Sequence, residues 1–157
     1  MISPPAAIPA ATATNPRTLV DDNTFVLLVG DLTRSHGHTA ELADRIIVQT
    51  LGFLYTCARN PGARLGPSQT VDDGWHAFLT RTRAYADFCE RVAGRFIHHA
   101  PDTPPGISAA EYTQRIGATV AAMRQAGVPV DIDLWSAPAE CSQCYAGCVD
   151  DPKGATL

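Results

Sequence analysis

Residues 71–101, VDDGWHAFLTRTRAYADFCERVAGRFIHHAP, decide the fold class. Val71, Trp75, Phe78 and Leu79 recur at the spacing that gathers apolar side chains on one face of a helix. Tyr85, Phe88, Cys89 and Val92 continue the stripe as far as Gly94, in the same helix or after a break near Thr80. Thr70, with Asp73 three residues on, resembles a capping box at the start, and acids there suit the positive end of a helix. The segment FIHH that follows Gly94 is too short to signal a sheet by itself.

Working outward, the same period recurs on both sides. Phe25, Leu28, Val29 and Leu32 predict a helix from Thr24 to about Ser35, ended by His36-Gly37-His38. Thr39 can cap a second helix through Leu42, Ile46, Leu51 and Leu54, which stops at Asn60-Pro61-Gly62. Ser108 and Glu111 form a capping box ahead of Tyr112, Ile116, Val120 and Met123, and Gly127 and Pro129 end that helix. VDIDLW, residues 130–135, alternates for only six residues, so strand signal is thin. The expectation is an all-α bundle of four to five helices with a loop-rich, Cys-containing C-terminal tail. Its parts are a disordered Pro/Ala-rich arm at 1–20, a helical domain at 21–138 and the tail at 139–157.

Composition bounds the function. The chain has 157 residues, the length of one domain, and can bury roughly two thirds of its unfolded surface. A net charge of -4 with no Lys/Arg cluster argues against nucleic acid, whose phosphates need clustered cations. No apolar run approaches the ~20 residues that cross a bilayer. The first sixteen residues lack a basic n-region and a continuous apolar stretch, so no signal peptide is expected and a cytoplasmic location is. In that reducing compartment, clustered cysteines more often bind metal or do redox chemistry than form disulfides.

Three groups of residues could carry chemistry. Asp72 and His76, four apart, lie on one helix face, where they can bind one ion together or the aspartate can hold the imidazole's tautomer. A buried histidine hydrogen-bonded to Asp72 is the plain alternative. His98 and His99 are adjacent, so in an extended segment only one of them faces a shared site. They could equally close a helix C-terminus. CSQCYAGC, residues 141–148, places Cys141 and Cys144 as half of a zinc knuckle with Cys148 as a third donor, against a disulfide, a redox pair or inert thiols. His36 and His38 flank a glycine and can chelate, although surface turns often hold such residues. Cys57 and Cys89 fall on apolar stripes and read as core.

Asp72, Trp75, His76, Tyr85, Cys89, Gly94, His98 and His99 together resemble the signature block of the glycine-rich-domain-containing-protein-like family. The resemblance covers 71–101 closely and the helix at 39–60 loosely. It implies a helical block whose hairpin brings Asp72, His76 and the histidine pair together, and it likens CSQCYAGC to a shortened Cys- and Gly-rich tail. It implies no reaction. The functional expectation is a metal-binding domain. Zinc suits imidazole and thiolate donors, and copper and iron take the same ones. Such a domain could serve as a small metal-dependent tailoring enzyme of a bacterial biosynthetic pathway, using a metal-activated water or Lewis acid on a small molecule. The competing expectations are a non-catalytic module docking a partner protein, with Asp72 and the histidines as internal struts, and a thiol redox protein.

Overall fold

A computed structural model describes residues 12–101, residues 106–136 and the backbone of residues 146–150. The fold is all-α, with five helices among the described residues: α1 (Asp22–His36), α2 (Ala40–Arg59), α3 (Gln69–Thr80), α4 (Thr82–Ala93) and α5 (Ala109–Gln125). Two short strands, β1 (Ile97–Pro101) and β2 (Ala146–Asp150), pair antiparallel.

Helix α2 is the hub. Ala43, Ile46, Ile47, Leu51, Phe53, Leu54 and Cys57 point in several directions and are all buried, the pattern of a helix enclosed by the others. Helices α1, α3, α4 and α5 all pack on it. Its buried polar groups are used. The Gln49 carbonyl oxygen accepts from the Trp135 indole at 2.8 Å and from the Asp131 amide at 3.1 Å, and its amide donates to the Pro129 carbonyl at 2.9 Å. This clamp holds 129–135 against α2. The alternation in VDIDLW is therefore not a strand: Ile132–Leu134 is one 3-10 turn, with Leu134 and Trp135 buried.

Capping chemistry sets most helix starts. Thr39 accepts from the Leu42 amide, and Ser108 and Glu111 form the reciprocal box the sequence indicates. Ser108→Ala is expected to cost about 1 kcal/mol in urea unfolding, the ordinary worth of such a cap. The start of α3 differs from expectation. Ser68, not Thr70, is the cap: it accepts from the Val71 amide at 3.2 Å while its hydroxyl donates to the Leu134 carbonyl. That second bond spans 66 residues, so only the folded chain selects Ser68. Helices α3 and α4 are separate, because Arg81 leaves helical geometry (φ -93°, ψ 63°) and its guanidinium bonds Asp31 on α1.

Within the arm expected at 1–20, residues 14–19 pack on the helical domain. Residues 1–11 lie outside the described residues, but the Thr14 amide donates to the Gly127 carbonyl at 2.9 Å. Pro16–Leu19 forms a 3-10 turn on α2 with Pro16 buried, and the Arg17 guanidinium lies 3.6 Å from the centre of the Phe25 ring. Asn15 caps that turn and proline is favoured at its first position, which is why a Pro-containing stretch packs here. Residues 146–150, assigned to the tail, add a strand to β1.

Candidate metal centre

The site grows from the first turns of α3. Asp72 and His76, one turn apart, present their side chains on the same face. Strand β1 returns beside them after α4. Its alternation separates the histidine pair: His99 reaches Asp72, whereas the His98 ring packs on Phe96 with centroids 4.8 Å apart. His99 Nε2 lies 2.8 Å from Asp72 Oδ1, and His76 Nε2 lies 3.6 Å from Asp72 Oδ2. One donor atom from each of Asp72, His76 and His99 falls within 4.8 Å of the others, so this group could hold a metal ion. Donors about 2.0–2.2 Å from a tetrahedral ion stand roughly 3.4 Å apart. The cluster is therefore close to ligand spacing.

Burial grades across the site. The Asp72 side chain is 5% exposed, His99 13% and His76 51%. The carboxylate is thus buried on the inner side, and His76 opens outward into a groove also lined by Asp31, Ser35, His36 and Thr80. The inner wall is aromatic. The Trp75 ring meets His99 edge-on at 4.4 Å and Phe53 at 5.4 Å. The Trp75 indole donates to the Tyr85 hydroxyl at 3.0 Å, and that hydroxyl donates to the Ile97 carbonyl on β1. Burial, followed by the neighbouring Cys89, pushes the Tyr85 phenol far above its ordinary range, so it stays a neutral donor. The chain Trp75–Tyr85–Ile97 fixes β1, and β1 fixes His99.

The cysteines divide. Cys57 and Cys89 are buried in the core, as their stripe positions indicate, and burial raises the Cys89 pKa above the usual thiol value. Cys141 and Cys144 lie outside the described residues. Cys148 stands opposite His99 in the β1–β2 register, which brings the tail backbone to the border of the site.

The residue that sequence reasoning missed is Asp73. It meets His36 and His38, from the turn between α1 and α2, at 3.4 and 3.3 Å. No local signal could reveal this, since the partners are 35 or more residues away.

No helix among the described residues is long and apolar enough to cross a membrane. Comparison with known proteins finds no curated protein and no solved structure that matches the chain. The family model that matches spans residues 18–110, from the first 3-10 turn through β1, and takes in Asp72, Asp73, His36, His38, His76, His98 and His99. It overturns the resemblance to the glycine-rich-domain-containing-protein-like family. The aromatic, Cys and His positions quoted for that resemblance form the core and site of a different family's domain. Because the match covers more than half of the 157 residues, the chain belongs to the UCP032817-like family.

Proposed function

We propose that this domain binds a divalent transition-metal ion, zinc first among them, at Asp72, His76 and His99. The observation that carries this is the convergence of one carboxylate and two imidazoles, from α3 and β1, within 4.8 Å. Two nitrogens and one oxygen are a donor set that zinc accepts, and three protein donors leave a position for water. With His76 half exposed beside the groove, that position would open on the groove side. An ion there would lower the pKa of its water or polarise a carbonyl on a small-molecule substrate. Cys148 stands opposite His99 in the backbone register of β1 and β2, and it is the proposed candidate for a fourth donor.

The test is metal analysis of the purified protein, before and after chelation and reloading with Zn²⁺. The expected result is stoichiometric metal at this site, weakened by about 10–100-fold or more in His99→Ala and unchanged in His98→Ala. Cys148→Ser separates a closed site from an open one: weakened binding assigns the fourth position to the thiolate, and unchanged binding assigns it to water. The 2.8 Å bond between His99 and Asp72 favours one competing reading, in which these residues are an internal strut. A folded protein that takes up no Zn²⁺, Cu²⁺ or Fe²⁺ establishes that reading instead.

A further inference from the structure

Asp73, next to Asp72 on α3, has an imidazole pair of its own. His36 ends α1, and Gly37 follows at φ 69°, a left-handed conformation that reverses the chain and sends His38 back beside His36. The two rings are nearly parallel, 11° apart in plane with centroids 5.9 Å apart. His36 Nε2 lies 3.4 Å from Asp73 Oδ1, and His38 Nε2 lies 3.3 Å from Oδ2. All three side chains are between one fifth and one third exposed.

The hydrogen bonds around His36 determine which nitrogen carries its proton. The Ser35 hydroxyl lies 2.8 Å from the Asp31 carbonyl and 2.8 Å from His36 Nδ1. A carbonyl can only accept, so the single hydroxyl proton goes to Asp31. Ser35 Oγ must then accept from His36 Nδ1–H. In the neutral ring, Nε2 is left with a lone pair directed at a carboxylate oxygen. A lone pair and an anionic oxygen at that distance repel, and a cation between them reverses the sign. One nitrogen free for an ion, with the other N–H held by an outer acceptor, is the arrangement of a metal-bound histidine.

We propose that Asp73, His36 and His38 form a second divalent-cation site, for an ion of the zinc class, beside the Asp72 site. The donor set is the same in kind, one carboxylate and two imidazoles, but its three donor atoms do not all fall within 4.8 Å of one another, so the side chains must close in on the ion. His36 and His76 line the same groove, so both ions would be reached from one side. This second site stands on its own residues and does not depend on the first.

The experiment is a Zn²⁺ titration of the chelator-stripped full chain by calorimetry, with Co²⁺ absorption as a second readout. Wild type is expected to bind two equivalents. The double variant His36→Ala/His38→Ala is expected to bind one, and so is Asp73→Asn, which preserves side-chain shape if the double variant folds poorly. His76→Ala/His99→Ala is also expected to bind one, through the Asp73 site. The proposal is overturned if the His36/His38 and Asp73 variants bind as many equivalents as wild type, the result expected if His36 is an imidazolium paired with Asp73. A wild type binding one ion that only the His76/His99 variant loses also overturns it and leaves the Asp72 site standing. One ion lost only in the His36/His38 variant supports it and refutes the Asp72 site.

Discussion

Trp75→Ala is expected to lower stability by about 3–5 kcal/mol, the range for emptying a large aromatic site, with a Tm drop of roughly 6–20 °C. Trp75 is fully buried and is the largest side chain at the contact of α2, α3 and β1. Its removal leaves a cavity between Phe53 and His99 and takes away the donor that the Tyr85 hydroxyl accepts from. Tyr85 in turn anchors β1 through the Ile97 carbonyl, so the loss reaches the strand that carries His99. Trp75→Phe retains most of the apolar contact and loses the indole N–H. It is expected to cost less and still to weaken the metal binding proposed for the Asp72 site, because β1 is held less firmly. Urea unfolding measures both variants. A loss under about 1 kcal/mol for Trp75→Ala would mean that the site refills and that Trp75 is no pillar of the core.

Gly74→Ala is expected to destabilise the protein by about 1–3 kcal/mol, against the rule that alanine is the better helix former. A Cβ at residue 74 would stand 2.2 Å from Thr50 Oγ1 and 3.0 Å from the Ile46 Cγ2 methyl. Thr50 cannot swing away freely, because its hydroxyl lies 2.9 Å from the Ile46 carbonyl and 3.1 Å from the Val71 carbonyl. Helices α2 and α3 must therefore separate, and Asp72 and Asp73 move with α3. Lower affinity at both candidate sites should accompany the lost stability. Gly117→Ala on α5 is the control: nothing lies within 4 Å of its Cβ, so the same change is expected to gain up to about 1 kcal/mol. If Gly74→Ala also stabilises, the close approach of α2 and α3 is not a constraint on the fold.

The helices were readable because their causes are local. Phe25, Leu28 and Leu32 repeat at the period of the helix they form, and Thr39 and Ser108 cap their helices through bonds that reach three residues. The site was half readable for the same reason. Asp72 and His76 are one turn apart, and strand alternation alone required His98 and His99 to face opposite ways. Where the cause was a distant partner, sequence reasoning failed. Ser68 caps α3 because of Leu134, residues 14–19 pack because Gly127 and α2 receive them, and β1 persists because β2 pairs with it. The family resemblance failed differently. Trp, Tyr and Cys at core spacing with a histidine pair describe a buried helical hairpin in general, and such a pattern does not single out one family.

Periodicity and end-capping, both interactions within a few residues, let the sequence alone specify an all-α domain with an aspartate–histidine turn on α3. Only the tertiary structure decided that His99 rather than His98 joins that turn, and that Asp73 receives His36 and His38. Those meetings depend on where α4, β1 and the α1–α2 turn come to rest against α2. That placement is set by burying Trp75, Phe53 and Tyr85 together, a property of the whole core that no local window of residues contains.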